Sequence, residues 1–245
     1  MIPIRITVAS TAGSAPREAG TQMLVWPDRT EGTIGGGALE WDAMAEARRM
    51  LAEGRSNHRA VIPLGPALGQ CCGGSVTLLW EQTAALDEPL RRPLWIYGAG
   101  HVGRAILHVM QPLPDFAITW VDVAADRFPQ TDVTTLVAVD PVQAVRHAPD
   151  DAAHLILTYS HALDLALCHA ILQRSFDSVG LIGSATKWAR FRTRLAALGH
   201  APAQIARIAC PIGDTSLGKH PAALALGVAA AMIRPQTHQS KESRA

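Results

Sequence analysis

Six residues near the middle of the chain have the pattern of a phosphate-binding loop. Residues 98–103 read Gly-Ala-Gly-His-Val-Gly, which fits G-x-G-x-x-G, and they lie between a predicted strand and a predicted helix, as the motif requires. The first glycine makes the turn, the second lets a phosphate approach the backbone, and the third lets the helix pack closely on the strand. We therefore predict that Gly98, Gly100 and Gly103 bind a cofactor through amide N–H groups at the start of the helix. His101 either contacts that ligand or covers the turn.

Other polar residues follow predicted strands. Asp122 lies 24 residues after Gly98, where an acid either accepts a hydrogen bond from an adenosine ribose or faces solvent. Ser184 is the predicted N-cap of a basic helix, whose cations are Lys187, Arg190, Arg192 and Arg194. This helix either presents a solvated basic face or, together with Ser184, binds a phosphate or an acidic partner surface. Ser160 and His161 follow another strand, and we expect them at the same edge of the sheet.

The cysteines divide into a pair and two single residues. Cys71 and Cys72 follow Gln70 and precede Gly73 and Gly74. Adjacent cysteines lack the C-x-x-C spacing of zinc and redox sites. They are either a reactive thiol or soft-metal ligand in an exposed loop, or two small residues entering a strand. Cys168 lies on the apolar face of a predicted helix and is expected in the core, whereas the position of Cys210 favours neither role.

The first part of the chain, residues 1–86, is predicted to form a small α+β domain. Apolar runs at 4–9, 23–26 and 75–80 are typical of strands, and they are separated by turns rich in glycine. Apolar residues recur at helical spacing over 38–53, and Gly54 follows as a helix stop. The positioning of any chemistry in this domain therefore depends on turns rather than on long helices.

The second part, residues 94–234, is predicted to form a doubly wound parallel sheet, because strand and helix patterns alternate. A polar linker at 87–93 precedes it, and a loose polar tail at 235–245 follows. The predicted strands are 94–97, 116–121, 136–139, 154–159 and 179–182. The predicted helices are 101–110, 141–147, 162–173, 185–198 and 221–233. The last helix is almost wholly apolar, so it must pack against another element.

Composition excludes several classes of protein. Of the 245 residues, 48% are hydrophobic and 18% are charged, which excludes a mostly disordered chain. The net charge of +1 gives no electrostatic reason to expect binding to nucleic acid or to an anionic membrane. No apolar run has the length of a membrane span, and residues 1–10 lack the features of a signal peptide. Four cysteines do not form a disulfide framework, so a cytoplasmic location is expected.

Six segments, spread in order over nearly the whole chain, carry a resemblance to one family. They read Gly-Ser-Ala-Pro-Arg-Glu-Ala-Gly at 13–20, Gly-Gly-Gly-Ala-Leu-Glu at 35–40, Leu-Gly-Gln-Cys-Cys-Gly-Gly at 68–74, Tyr-Gly-Ala-Gly-His-Val-Gly-Arg at 97–104, Gly-Leu-Ile-Gly-Ser at 180–184 and Cys-Pro-Ile-Gly at 210–213. With these motifs the sequence resembles the xanthine dehydrogenase accessory protein family, XdhC/CoxI. CoxI-like members usually carry a cysteine where this chain has Ala38, so the resemblance is to the xanthine dehydrogenase branch.

The resemblance implies both a fold and a role. The implied fold is a small N-terminal α+β XdhC/CoxI domain followed by a Rossmann-like parallel-sheet domain. The implied role is that of a chaperone rather than an enzyme. Such a protein transiently binds the molybdenum cofactor, Mo-molybdopterin, and protects it while a cysteine desulfurase installs the terminal sulfido ligand. It then delivers the cofactor to apo-xanthine dehydrogenase, which acts in purine catabolism.

Motif positions, together with that role, predict the cofactor contacts. A thiolate of Cys71 or Cys72 is predicted near the metal or its sulfur ligand, with Cys72 as the metal ligand. Gln70 and Glu40 are predicted to hydrogen-bond the pterin edge. The phosphate is predicted either at 98–103 or at the junction of Ser184 and Lys187. A homodimer is also expected.

Two other functions remain open from the residues alone. An NAD(P)-dependent oxidoreductase would use the same glycine-rich loop, but the chain has only two tyrosines and no Tyr-x-x-x-Lys pair. An interaction adaptor would use the apolar last helix as a dimer or partner surface.

Overall fold

The computed structural model describes residues 2–65, 73–83, 85–87 and 91–234. The predictions for Gln70, Cys71, Cys72 and the tail at 235–245 lie outside these residues. The chain divides into two compact units, Met1–Glu88 and Pro89–Ala245. Among the described residues, the first unit has one buried apolar cluster and the second unit has two.

The first unit contains a five-stranded antiparallel sheet in the order β3-β2-β1-β5-β4. Its strands are β1 (Ile4–Ala12), β2 (Gln22–Val25), β3 (Thr30–Gly32), β4 (Asn57–Pro63) and β5 (Ser75–Gln82). Helix α1 (Gly37–Glu53) ends at Gly54, which adopts the left-handed conformation expected of a C-terminal stop. Ile4, Ile6 and Val8 alternate along β1 and are buried against α1. The period-2 pattern of β1 and the helical pattern of α1 therefore build one core.

The second unit contains a six-stranded parallel sheet in the order β11-β10-β9-β6-β7-β8. Its strands are β6 (Arg92–Tyr97), β7 (Phe116–Asp122), β8 (Thr134–Val137), β9 (Ala153–Ile156), β10 (Ser178–Leu181) and β11 (Ile208–Ala209). Its helices are α2 (His101–Met110), α3 (Pro141–Ala144), α4 (His161–Leu172), α5 (Ala185–Ala197), α6 (Pro202–Ile205) and α7 (Pro221–Ile233). Two apolar clusters lie in this unit, so the sheet has a core on each side. The predicted α/β class with a Rossmann-like sheet is confirmed.

The strand order reverses between β6 and β9. From β6 the chain continues to β7 and β8 on one side, whereas β9 begins a run through β10 and β11 on the other. In open parallel sheets, ligands bind outside the carboxyl ends of the strands at such a point of reversal. The segments that follow β6, β9 and β10 are therefore the place where this fold favours a binding site.

Several predicted boundaries shift in ways that bear on this edge. Strand β9 ends at Ile156 rather than at 159, so Thr158 and Tyr159 belong to the loop before α4. Strand β6 begins at Arg92, inside the predicted linker.

The apolar helix α7 packs against α2, as expected of a helix without a polar face. In the described part of the chain, no helix is long and apolar enough to span a bilayer.

Candidate functional site

A crevice opens at the carboxyl ends of the central strands of the second unit, with a volume of about 360 Å³. It is lined by residues that follow β9 and β10 and by residues of α2, α4 and α5: Val102, Leu157, Thr158, Tyr159, His161, Ile182, Gly183, Ser184 and Lys187. The volume lies in the range of small-molecule sites. We call this space the crevice.

The glycine-rich loop lies next to the crevice and has the geometry that its sequence predicts. Gly98 has φ of +115°, and a Cβ there would lie 2.6 Å from the carbonyl oxygen of Leu157. A Cβ on Gly103 would strike the carbonyl oxygen of Gly98, so only glycine permits the close approach of helix and strand. A Cβ on Gly100 would meet no atom within 4 Å. The second glycine therefore faces the open space that the motif requires, and the His101 side chain beside it is exposed.

Asp122 does not face solvent, which was one of its two predicted alternatives. Its side chain is only 5% exposed. Its Oδ2 accepts a hydrogen bond from the backbone N–H of Ala99 at 2.5 Å, and its Oδ1 accepts one from the N–H of Val123 at 2.6 Å. Arg127 Nε lies 3.7 Å from Oδ1. The carboxylate thus shapes the loop, with Arg127 beside it, and the ribose contact stays a prediction.

An ion pair is buried at the wall of the crevice. Lys187 Nζ lies 2.6 Å from Asp164 Oδ2 and donates to the carbonyl oxygen of Ile182 at 2.9 Å. The side chain of Asp164 is 1% exposed and that of Lys187 is 9% exposed. Asp164 Oδ1 also accepts from the N–H of Thr158 at 3.1 Å and from its hydroxyl at 2.7 Å. This network joins α4 and α5 to the segments that follow β9 and β10.

Ser184 caps α5, as its position predicts. Its hydroxyl oxygen accepts a hydrogen bond from the N–H of Lys187 at 3.2 Å. Ser160 caps α4 in the same way, accepting from the N–H of Leu163 at 3.3 Å. Both hydroxyls therefore satisfy backbone donors that the first turn of a helix leaves without partners. The N-terminal ends of both helices lie at the carboxyl edge of the sheet.

Glu40 of the first unit holds a glycine-rich turn. Its Oε2 accepts hydrogen bonds from the hydroxyl of Thr33 at 2.5 Å, from the N–H of Ile34 at 2.9 Å and from the N–H of Gly36 at 3.1 Å. Burial pushes the pKa of Glu40 upward, but these hydrogen bonds outweigh it and hold the pKa below its ordinary value. Glu40 is therefore a carboxylate whose described contacts fix the turn that begins α1.

Comparison with known proteins assigns both units. The XdhC Rossmann domain matches residues 94–232, which is more than half of the chain, and the XdhC and CoxI family matches residues 4–61. The chain belongs to the XdhC and CoxI family. The resemblance identified from the sequence motifs is thereby confirmed.

Two known proteins are similar to this chain. The chain is 28% identical over 240 residues to the uncharacterized protein YqeB of Escherichia coli strain K12, covering 93% of this chain and 42% of that protein. The chain thus spans less than half the length of this curated relative. A crystal structure of a xanthine dehydrogenase from Bacillus halodurans superposes with a TM-score of 0.79 at 19% identity, covering 99% of this chain and 94% of that one. At this identity the likeness shows the fold.

The family motifs of the first unit meet in space. Ser14 forms a parallel β-bridge with Gly73, and a Cβ on Gly74 would lie 2.5 Å from the carbonyl oxygen of Ala12. A Cβ on Gly35 would lie 2.8 Å from Cβ of Pro16. The segments at 13–20, 35–40 and 73–74 therefore converge, and their glycines permit the close backbone approach. Gln70, Cys71 and Cys72 lie outside the described residues, so their predicted cofactor contacts stay predictions.

The two described cysteines are poor nucleophiles. Burial raises the pKa of Cys168 to about 12 and that of Cys210 to about 11. Both thiols are therefore protonated at neutral pH. Cys168 lies in the core, as its helical position predicts, whereas Cys210 is half-buried. No cluster of three or more His, Cys, Asp or Glu side chains suited to a metal occurs among the residues that the structure describes.

Sequence reasoning missed Asp164 and Thr158. Asp164 stands in the first turn of α4, a helix that is otherwise largely apolar. A single acid within such a segment is a signal of a paired buried charge, and it was available in the sequence. Its partner could not be identified, because Lys187 lies 23 residues further along the chain. Only the parallel pairing of β9 with β10 brings the two side chains together.

Proposed function

We propose that the protein is a molybdenum-cofactor-binding accessory protein for xanthine dehydrogenase. It holds the cofactor while a cysteine desulfurase installs the sulfido ligand, and it then delivers the cofactor to the apo-enzyme. The observation that carries the proposal is the assignment of both units to the XdhC and CoxI family. Membership of this family supports an accessory role rather than catalysis.

The crevice fits the uncharged body of such a cargo. Its volume of about 360 Å³ suits a fused ring system, and its lining combines apolar side chains with the hydroxyls of Thr158 and Ser184. The Asp164–Lys187 pair adds polar atoms without net charge. In the cargo, the molybdenum centre supplies the site to which sulfur is added. Cys72 and Cys71 remain the predicted thiolates beside that centre.

The alternative of an NAD(P)-dependent oxidoreductase has less support at this edge. Asp122 is bonded to the loop rather than exposed for a ribose. The Arg127 guanidinium lies 5.4 Å from the ring centroid of Tyr159 and 3.7 Å from Asp122. Tyr97 is buried, burial raises its pKa, and its hydroxyl contacts His154 rather than the crevice. Tyr97 is therefore not an acid that faces the crevice.

Equilibrium binding tests the proposal against its alternative. Purified protein is titrated anaerobically with Mo-molybdopterin, with NAD⁺ and with NADPH. It is then mixed with apo-xanthine dehydrogenase, and xanthine oxidation is followed. We expect binding of Mo-molybdopterin and transfer of activity. Tight binding of a nicotinamide cofactor without binding of Mo-molybdopterin would replace the proposal by the alternative.

A pair of cysteine variants tests the predicted thiol. Cys72→Ala should weaken cofactor binding or abolish its sulfuration, because the thiolate is predicted beside the metal–sulfur centre. Cys210→Ala is the matched control, because that thiol is half-buried and protonated. Equal behaviour of wild type and Cys72→Ala in both binding and sulfuration would remove Cys72 from the site.

A further inference from the structure

Both sites that the sequence suggests for a phosphate contain a buried carboxylate. At the glycine-rich loop, Asp122 takes up the N–H of Ala99, one of the amides that an anion would otherwise use. At the junction after β10, the charge of Lys187 is neutralised by Asp164 at 2.6 Å. At either place the positive groups that a phosphate dianion would need are already bonded to a carboxylate, so little positive charge remains for the anion. Charge balance therefore favours another position for the phosphate.

A second space adjoins the crevice along α5. It has a volume of about 560 Å³, and we call it the α5 groove. Its lining residues are His161, Ser184, Thr186, Lys187, Arg190, Phe191, Thr193 and Arg194. Three of them, His161, Ser184 and Lys187, also line the crevice. The two spaces are therefore adjacent.

The α5 groove carries positive charge that the crevice lacks. Arg190 and Arg194 are one helical turn apart, so they share a face of α5. Both are exposed, and no described carboxylate forms a salt bridge with either guanidinium. Guanidinium groups bind phosphate oxygens with two parallel hydrogen bonds, which makes arginine the residue best suited to this task. The hydroxyl of Thr186 lines the same groove.

Phe191 lines the α5 groove next to the residues that it shares with the crevice. Its ring is buried, with Lys187 Nζ 5.3 Å from its centroid. The ring of His161 lies edge-on, with centroids 6.5 Å apart. Phe191 thus gives the groove an apolar surface between the neutralised lysine and the two arginines along the sequence of α5. Arg190 and Arg194 line the groove but not the crevice.

We propose that the α5 groove binds the phosphate of a phosphate monoester whose uncharged ring system extends into the crevice. Arg190 and Arg194 hold the phosphate, and the glycine-rich loop contacts the ring end instead. The identity of the ring as a pterin rests on the proposed function. The phosphate contact rests on the charges of the groove alone.

Calorimetric titration with inorganic phosphate tests the site in the full-length protein. We expect the double variant Arg190→Gln/Arg194→Gln to bind phosphate at least about tenfold more weakly than wild type, because it loses both charge-assisted contacts. Arg192→Gln should match wild type, because Arg192 lines a different depression, between α5 and α6. Gly100→Ala should also match wild type, since the loop does not hold the phosphate. The variants alter exposed positions, and their melting temperatures check that they fold.

Three results would overturn this inference. One is wild-type protein that binds no phosphate at millimolar concentration. Another is an Arg192→Gln variant that loses as much affinity as the double variant, which would indicate a diffuse basic face. The third is loss of phosphate binding in Gly100→Ala but not in the double variant, which would place the anion at the glycine-rich loop.

Neopterin and neopterin monophosphate separate this inference from the proposed function. Wild type should bind the phosphate ester more tightly than it binds either neopterin or inorganic phosphate, and the double variant should lose the preference for the ester over neopterin. If the ester binds no more tightly than inorganic phosphate, the pterin assignment fails while the phosphate site stands. If the double variant keeps the full preference for the ester over neopterin, the phosphate site fails.

Discussion

At the scale of single residues, charges at the carboxyl edge of the second sheet are paired before any ligand arrives. Asp164 and Lys187 neutralise each other, and Asp122 is committed to the glycine-rich loop. The residue type alone therefore misleads: a lysine in the first turn of a helix after a strand is typical of an anion site, but here its charge is balanced. Binding of anions then depends on cations without a described partner, which lie further along α5.

The Asp164–Lys187 pair should show strong coupling. Lys187→Met leaves a carboxylate that is 1% exposed without its cation, and we expect the free energy of unfolding to fall by about 3–5 kcal/mol. Asp164→Asn leaves the lysine without its anion and should also destabilise. The double variant Lys187→Met/Asp164→Asn should lose much less than the sum of the two. Urea unfolding of the four proteins gives the coupling free energy. Additive losses would show that the pair contributes no specific interaction, and Arg192→Met on the same helix controls for loss of a cation.

His154 should make stability depend on pH. Burial lowers the pKa of His154 to about 4, with a smaller contribution from the charge of Arg174. In the unfolded chain the ring binds a proton near its ordinary pKa of 6.5, so the unfolded state takes up more protons between these values. The free energy of unfolding should therefore decrease as pH falls from 6.5 to 4, by about 3 kcal/mol from this group.

A neutral variant isolates that contribution from the carboxylates, which titrate over part of the same range. His154→Asn keeps a polar atom near the hydroxyl of Tyr97, which lies 3.3 Å from Nδ1. The difference in unfolding free energy between wild type and variant should narrow as pH falls from 6.5 to 4, as measured by denaturant titration at each pH. A difference that stays constant over this interval would mean that His154 ionises equally in both states.

At the scale of elements, the junction of β6 and α2 depends on its glycines in two different ways. A Cβ on Gly103 would strike the Gly98 carbonyl oxygen and lie 3.0 Å from Leu157 Cδ1. Because the first of these is backbone, Gly103→Ala should destabilise by about 1–3 kcal/mol. Gly100→Ala places its Cβ in open space at φ of −76° and should change stability by less than about 1 kcal/mol. Thermal melts compare the two, and equal losses would show that helix and strand are not in the close contact described.

The elements that could be predicted are those whose apolar residues have a clear period. Helices α2 and α7 were predicted with the bounds that the structure gives, and α1 differs by one residue at its start. Strands β3 and β4 were missed because they contain no buried residue: β4 lies at a sheet edge and alternates between exposed and half-buried positions. Strand β11 and helix α6 have two and four residues, too few for a period to be recognised.

The candidate site could be predicted only in its local parts. The glycine-rich loop and the Ser184 cap follow from neighbouring residues in the sequence. The burial of Asp122, the partner of Lys187 and the adjoining groove depend on strand order, which brings distant segments to one edge. The local sequence pattern therefore predicts the conformation of a loop and the cap of a helix. Which charged side chains neutralise each other can be read only from the tertiary structure.

At the scale of the whole molecule, the chain divides into two units, and each unit has its own apolar core. Among the described residues, the apolar cluster of the first unit consists of residues before 81, and both clusters of the second unit consist of residues after 93. A core that uses residues of one unit alone can form without the other. The phosphate site proposed along α5 belongs wholly to the second unit.

We therefore expect the fragment 89–234 to fold alone. It keeps both apolar clusters and all six parallel strands, so it should show a cooperative thermal transition by circular dichroism and bind inorganic phosphate as the full-length protein does. A shorter fragment, 89–160, is the control, because it removes β10 and β11 and leaves β9 at an uncovered edge. That fragment should not unfold cooperatively. If 89–234 also lacks a cooperative transition, the second unit requires the first for its stability, and the independence inferred from the separate cores is wrong.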